Sequence, residues 1–181
     1  FEDLKTWSGE DLKDSTILVT SEQGMGDIIQ FSKFLINLSP ICKKIDFLLF
    51  DKLLPIFKNQ FKNINICSKN EVINNNYDYK IPLGSLNKYF FKEKNSNSSD
   101  LINFSEKKRK HWKSISNNKK KNIGLIWSGN FFGPKEPTRS IELKKLDKLI
   151  NLDLNFYSFQ NEIWDRDKKY LSNSNIIDLS N

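Results

Sequence analysis

Ile17-Leu18-Val19-Thr20-Ser21-Glu22-Gln23-Gly24-Met25-Gly26-Asp27-Ile28-Ile29-Gln30-Phe31 decides the fold of this chain. Its apolar opening reads as a buried strand. The apolar spacing after the glycines predicts an amphipathic helix over residues 27–38. A strand, a glycine turn and a helix start form the first unit of a Rossmann-like α/β domain. The two glycines would allow backbone conformations that a Cβ forbids. Asp27 then falls in the first helical turn, where the helix dipole favours an anion. A carboxylate in that place competes with any phosphate docking there. The competing reading is a dinucleotide fingerprint, with Asp51 after the second strand as the ribose-binding acid. It is disfavoured because Ile29 replaces the third glycine and would crowd the helix–strand approach, and because Asp27 repels a pyrophosphate. A third reading is a plain structural turn with a solvated aspartate.

The same alternation continues outward. Strands are expected at 45–50 and 64–67, with a short helix around Pro55 between them. Residues 77–86 read as a strand end and a turn into a helix over 86–91. Residues 74–76 and 95–99 read as loops, 106–114 as a helix and 116–121 as a linker. The pattern then restarts with a strand at 123–127, a Gly/Pro-rich loop at 128–137, a helix at 143–150, a strand at 154–159, a helix at 163–171 and a strand from 176. The expected organisation is an N-terminal Rossmann-like domain over 1–115, a linker over 116–121, and the first part of a second Rossmann-like domain over 122–181. Alternating strands and helices argue for parallel sheets. Two such units facing each other would leave a cleft for a ligand.

Composition narrows the class. The 181 residues carry a net charge of +7, with basic clusters at Lys107-Lys108-Arg109-Lys110 and Lys119-Lys120-Lys121. No aromatic ladder accompanies these clusters, so a solvated helix face and linker are preferred over nucleic-acid binding. The two cysteines, Cys42 and Cys67, have no metal-ligand spacing and read as buried free thiols. The sequence has no apolar run near ~20 residues and no signal-like segment, so no membrane span and a cytoplasmic setting are expected. The chain starts at Phe1 and stops as a strand begins, so a fragment of a longer protein is expected.

Several segments in order resemble one family. They are Trp7-Ser8-Gly9-Glu10, the strand-and-turn through Asp27, Tyr77-Asp78-Tyr79-Lys80-Ile81-Pro82-Leu83-Gly84-Ser85-Leu86, Gly124-Leu125-Ile126-Trp127-Ser128-Gly129-Asn130, Arg139-Ser140-Ile141 and Tyr157-Ser158-Phe159-Gln160. Together they resemble the catalytic region of bacterial tetratricopeptide-repeat proteins whose glycosyltransferase-like part is similar to the heptosyltransferases, glycosyltransferase family 9. The resemblance implies a truncated GT-B fold with two Rossmann-like domains, the acceptor on the first and the nucleotide sugar on the second. It implies tetratricopeptide repeats upstream and a glycan or protein acceptor. It also implies that Gly26-Asp27 supplies the catalytic base. The family's Asp-Thr-x-x-x-His diphosphate element is absent, and the one histidine, His111, stands in another region.

Inverting sugar transfer needs a base for the acceptor hydroxyl and cations or dipoles for the departing diphosphate. Asp27 is the candidate base. Glu22, Gln23, Gly24 and Gly26 form the candidate acceptor-side loop. Ser128, Gly129, Asn130, Lys135, Arg139 and Gln160 are the candidate donor-binding residues, with Arg139 offering a bidentate fork to phosphate. No metal or other cofactor is expected, the nucleotide sugar being a substrate. The alternative is a non-catalytic GT-B-like scaffold module of a repeat protein.

Overall fold

The computed structural model describes residues 3–21, 24–72, 76–92, 102, 104–116, 119–129 and 138–179. The chain divides into two compact units, Phe1–Phe104 and Ser105–Asn181.

In the first unit, strands β1 (Thr16–Thr20), β2 (Lys44–Leu48), β3 (Ile64–Cys67) and β4 (Tyr79–Pro82) form a parallel sheet in the order β3-β2-β1-β4. The central strand carries Ile17, Leu18 and Val19, all fully buried. A central parallel strand is covered on both faces, so it reads as a continuous apolar run rather than an alternation. Ile17 and Val19 join the main core with Ile28, Leu35, Leu38, Ile45, Phe47 and Phe57. Leu18 faces the other way, towards Cys67, Val72 and Tyr77.

The helical run after the turn is broken. It comprises α1 (Met25–Phe31), a 3-10 turn at Ser32–Phe34, α2 (Leu35–Leu38) and a second 3-10 turn at Ser39–Ile41. The Ser32 hydroxyl donates to the Ile29 carbonyl at 2.8 Å, a back-bond that bends helices. Pro40 lies in the second 3-10 turn, which stops at Ile41. The remaining crossovers are short: α3 (Leu54–Phe57), α4 (Lys69–Val72) and α5 (Leu86–Phe90).

The Trp7–Glu10 segment is a folding device. Trp7 N–H donates to the Lys80 carbonyl at 2.9 Å, and Thr6 bridges Lys80 in parallel, extending the sheet beyond β4. The Trp7 indole donates to the Glu10 carbonyl at 2.8 Å, and Ser8 N–H donates to the Glu10 carboxylate at 2.7 Å. Gly9 closes this turn at φ 113°, a region that side chains avoid. The Lys5 ammonium and the Ser8 amide hold the Glu10 carboxyl down to about 2.

One carboxylate lies inside the first unit. Asp46 on β2 is fully buried and accepts from the Tyr77 hydroxyl at 2.7 Å and the Asn65 amide at 3.3 Å, with the Lys44 ammonium at 3.2 Å. Nearby, burial foremost, then the charges of Asp46 and Glu71, push the Cys67 thiol up to about 12.

The second unit opens with α6 (Glu106–Ile115), capped by Ser105, whose hydroxyl accepts from Lys108 N–H. Strands β5 (Asn122–Leu125), β6 (Asn155–Ser158) and β7 (Ile177–Asp178) form a second parallel sheet in chain order. A 3-10 turn at Leu143–Leu146 leads into α7 (Asp147–Ile150), and α8 (Asp165–Ser172) joins β6 to β7. The sequence expectation placed α6 in the first domain. In the structure it belongs with the second sheet, because the Tyr157 hydroxyl donates to the Ile115 carbonyl and Trp112 packs on Phe159 at 5.8 Å. Both basic clusters read from the sequence lie on exposed stretches, 107–110 on α6 and 119–121 just before β5. The result is an α/β protein with two parallel sheets, compatible with a Rossmann-like fold. Among the described residues, no helix is long and apolar enough to cross a membrane, and no cluster of residues suits a metal ion.

Candidate functional site

In open parallel α/β sheets, ligands gather beyond the carboxyl ends of the strands. The described members of both groups of candidate residues sit there, one group in each unit.

At the end of β1, Gly24 caps α1 and Asp27 lies in its first turn. Gly24, Met25, Gly26 and Asp27 are all exposed, while Ile28 turns inward into the core. Glu22 and Gln23 lie outside the described residues. Two expectations are corrected here. Gly24 has φ −61°, which any residue adopts, so its backbone does not require glycine. A Cβ on Gly26 would meet nothing within 4 Å, and one on Gly24 would make only ordinary contact with the Asp27 carboxylate at 3.5 Å. The internal packing of this unit therefore gives no reason for either glycine. Ile29 is 37% exposed and is not among the residues of the core, so the crowding expected from it does not arise. Asp51 opens a 3-10 turn beyond β2 and is likewise exposed.

At the end of β5 the construction is the opposite. Gln160, 4% exposed, follows β6 and reaches back across the sheet. Its side-chain oxygen accepts from both Trp127 N–H and Ser128 N–H at 3.0 Å. Its side-chain nitrogen donates to the Ser128 carbonyl at 3.1 Å and the Glu162 carbonyl at 3.0 Å. A carboxamide has two acceptor sites and two donor hydrogens, so Gln160 is saturated by the chain itself. Its carboxamide therefore keeps no free hydrogen-bonding site for the direct donor contact expected of it.

Asp167 completes this arrangement. It is fully buried in the first turn of α8. One carboxylate oxygen accepts from the Trp127 indole at 3.1 Å and the other from Leu143 N–H at 2.9 Å. Trp127 is thereby core, 4% exposed, rather than a stacking platform. Ile141 N–H donates to the Trp127 carbonyl at 2.8 Å, and Gly129 N–H donates to the Ser140 hydroxyl at 3.2 Å. These bonds join residues 127–129 to residues 140–141 in a neck. Asn130 and Lys135 lie outside the described residues.

Within this held neck, Ser128 is 7% exposed, and its hydroxyl is buried without a hydrogen-bond partner among the described residues. Arg139, next to Ser140, is exposed, and no carboxylate among the described residues pairs with it. Ser128, Gly129, Arg139 and Gln160 are thus brought to one strand end. The first three offer a hydroxyl, a close backbone approach and a cation. Two hollows elsewhere, of about 480 Å³ beside Lys144, Arg166 and Tyr170 and about 380 Å³ beside Ile36 and Gln60, take in none of the candidate residues.

Asp167 was missed from the sequence. Its one available signal was an acidic residue in the first turn of a helix, which is ordinary on solvated helices too. No protein-family model matches the chain, and no match was found among curated proteins or solved structures.

Proposed function

We propose that this chain is part of an inverting glycosyltransferase of GT-B type, similar to the heptosyltransferases, that moves a sugar from a nucleotide-sugar donor to an acceptor hydroxyl. The observation that carries this reading is the buried Ser128 hydroxyl, without a partner among the described residues, in a neck otherwise fixed by hydrogen bonds, with Arg139 at its edge and paired with no carboxylate among those residues. A buried hydroxyl without a partner is costly unless a ligand engages it. A hydroxyl and a guanidinium at a strand's carboxyl end suit the oxygens of a diphosphate.

In the proposed reaction Asp27 accepts the proton of the acceptor hydroxyl. The acceptor oxygen bonds to the anomeric carbon of the sugar. The anomeric carbon–oxygen bond to the diphosphate breaks, and its electron pair leaves with the nucleoside diphosphate. Ser128 and Arg139 stabilise that charge. The exposure of Asp27 and the bare glycines on either side of Met25 support an acceptor-side role, since they leave the turn open to a bulky substrate.

Calorimetric titration with UDP, GDP and ADP tests the donor half. At least one should bind, and Arg139→Ala should weaken it about 10–100-fold, the worth of one charge-assisted hydrogen bond. Asp27→Asn should leave that affinity unchanged. In a protein with transfer activity, Asp27→Asn should slow nucleoside diphosphate release from the donor by about 10²–10⁴-fold. Failure of all three nucleotides to bind would overturn the reading, and normal turnover in Asp27→Asn would remove Asp27 from the chemistry.

A further inference from the structure

We infer that Gln160 and Asp167 are positioning residues that hold Trp127-Ser128-Gly129 in a ligand-ready geometry, Gln160 through the backbone and Asp167 through the Trp127 indole. The inference rests on the donor-site reading of Ser128 and Arg139.

Three consecutive residues are held by four residues from three separate places. Gln160 takes Trp127 N–H, Ser128 N–H and the Ser128 carbonyl. Ile141 takes the Trp127 carbonyl, and Ser140 takes Gly129 N–H. Asp167 takes the Trp127 indole and also the Leu143 amide, which starts the next helical turn. Among the described residues, the Ser128 hydroxyl is left without a partner. A fold that needed only a stable strand end would have no use for so many constraints around a buried unsatisfied group. A ligand site does, because donors fixed in advance need no reordering when the ligand arrives. Gln160 is suited to this task by chemistry. Only a carboxamide presents two acceptor sites and two donor hydrogens from one planar group, so it can bridge amides and carbonyls of the same peptide stretch. Gln160 has no donor hydrogen or acceptor site left over, and Asp167 is fully buried with both oxygens engaged, which separates positioning from direct binding.

The test uses the whole chain and inorganic pyrophosphate as the probe. Gln160→Met keeps the volume and removes all four hydrogen bonds. Gln160→Glu keeps the two acceptor contacts and, when its carboxyl is protonated, regains one donor. Amide exchange followed by NMR and pyrophosphate titration are run on each variant beside the wild type. In Gln160→Met, exchange at Trp127 and Ser128 should accelerate about tenfold or more, while amides of β6 stay protected. Pyrophosphate affinity should fall about tenfold or more in the same folded protein. In Gln160→Glu, affinity relative to wild type should recover as pH falls, because the neutral acid can again donate to the Ser128 carbonyl. A purely structural residue would lower the melting temperature without that pH-dependent rescue. Equal pyrophosphate affinity in wild type and a folded Gln160→Met would overturn the positioning role. Should Gln160→Met not fold, a Gln160→Glu profile parallel to wild type at every pH would overturn it instead. A wild-type chain that binds no pyrophosphate would overturn the donor site itself, and the positioning role with it.

Discussion

The two strand-end turns that carry the candidate chemistry are built in opposite ways. After β1, Gly24 to Asp27 are exposed, and Gly24 caps α1 without a side-chain hydrogen bond. After β5, Trp127 to Gly129 are held by Gln160, Asp167, Ser140 and Ile141. The same contrast separates two aspartates, each in the first turn of a helix. Asp27 is exposed, whereas Asp167 is fully buried and engages donors from two other segments. Position at a helix start is therefore not what gives such a residue its role; what it faces decides. An open turn suits a variable, bulky partner. A clamped neck suits a small charged group whose geometry is always the same.

The sharpest way to break the contrast is to truncate both carboxylates. Asp167→Ala leaves the Trp127 indole and the Leu143 amide as buried donors without an acceptor. Two hydrogen bonds to a charged group are involved, so a loss of about 3–5 kcal/mol is expected. Asp27→Ala should stay within about 0.5 kcal/mol of wild type, as exposed substitutions do. Urea denaturation of both variants measures the difference. Similar losses in the two would show that the buried and exposed aspartates are not distinct in kind. Asp167→Asn should fall between them, because its side chain keeps only one acceptor oxygen.

A second contrast lies within the first unit, between its open turn and its closed lower layer around Asp46 and Cys67. Burial raises the Cys67 thiol from its ordinary 9.0 to about 12, and Cys42 is raised similarly. Between those values the unfolded chain has lost the thiol protons and the folded chain keeps them. The folded state binds more protons, so its stability is full below pH 9 and declines as pH rises towards 12. The slope contributed by each thiol is about 1.4 kcal/mol per pH unit. Denaturation midpoints measured across that range should fall less steeply in Cys67→Ala than in wild type. Equal slopes would mean that Cys67 is already ionised in the folded protein.

How much of this was legible in the sequence follows from what each feature depends on. Strand β1 was readable because a parallel strand covered on both faces leaves an uninterrupted apolar run, Ile17-Leu18-Val19, while β2 and β3 keep apolar residues on either side of Asp46 and Asn65. The break in the helical run at Ser32 was not readable, since it depends on one back-bond within an otherwise helical pattern. The placement of α6 with the second sheet was hidden for a related reason. Its basic, polar composition looks like a leader to a linker, and it meets β6 and the residue after it through Trp112 and the carbonyl of Ile115. Gln160 was picked out, but its saturation was not foreseeable. Its partners Trp127 and Ser128 are 33 and 32 positions away and are backbone groups, which every residue type supplies alike. The glycines of the β1 turn were read as conformational needs, yet the only described residue with positive φ is Gly9, in the Trp7–Glu10 turn.

The smallest effect expected is also the most specific to the open turn. Gly26 lies in the first turn of α1 with helical backbone, and an added Cβ would meet no atom within 4 Å. Alanine has the higher helix propensity and a less disordered unfolded state. Gly26→Ala should therefore stabilise the chain by about 0.5–1 kcal/mol. Such a gain would mean that the glycine is retained at a cost in stability, for a reason outside the unit's own packing. If the turn receives an acceptor, the same methyl group should obstruct it, so a protein with transfer activity should show a raised acceptor KM with little change in donor affinity. Thermal melts and acceptor titration on one preparation separate the two effects. A Gly26→Ala chain that is less stable would place the need for glycine in the folded backbone after all. A chain that is more stable with acceptor KM unchanged would leave the turn open but unoccupied, and would weaken the assignment of Asp27 beside it.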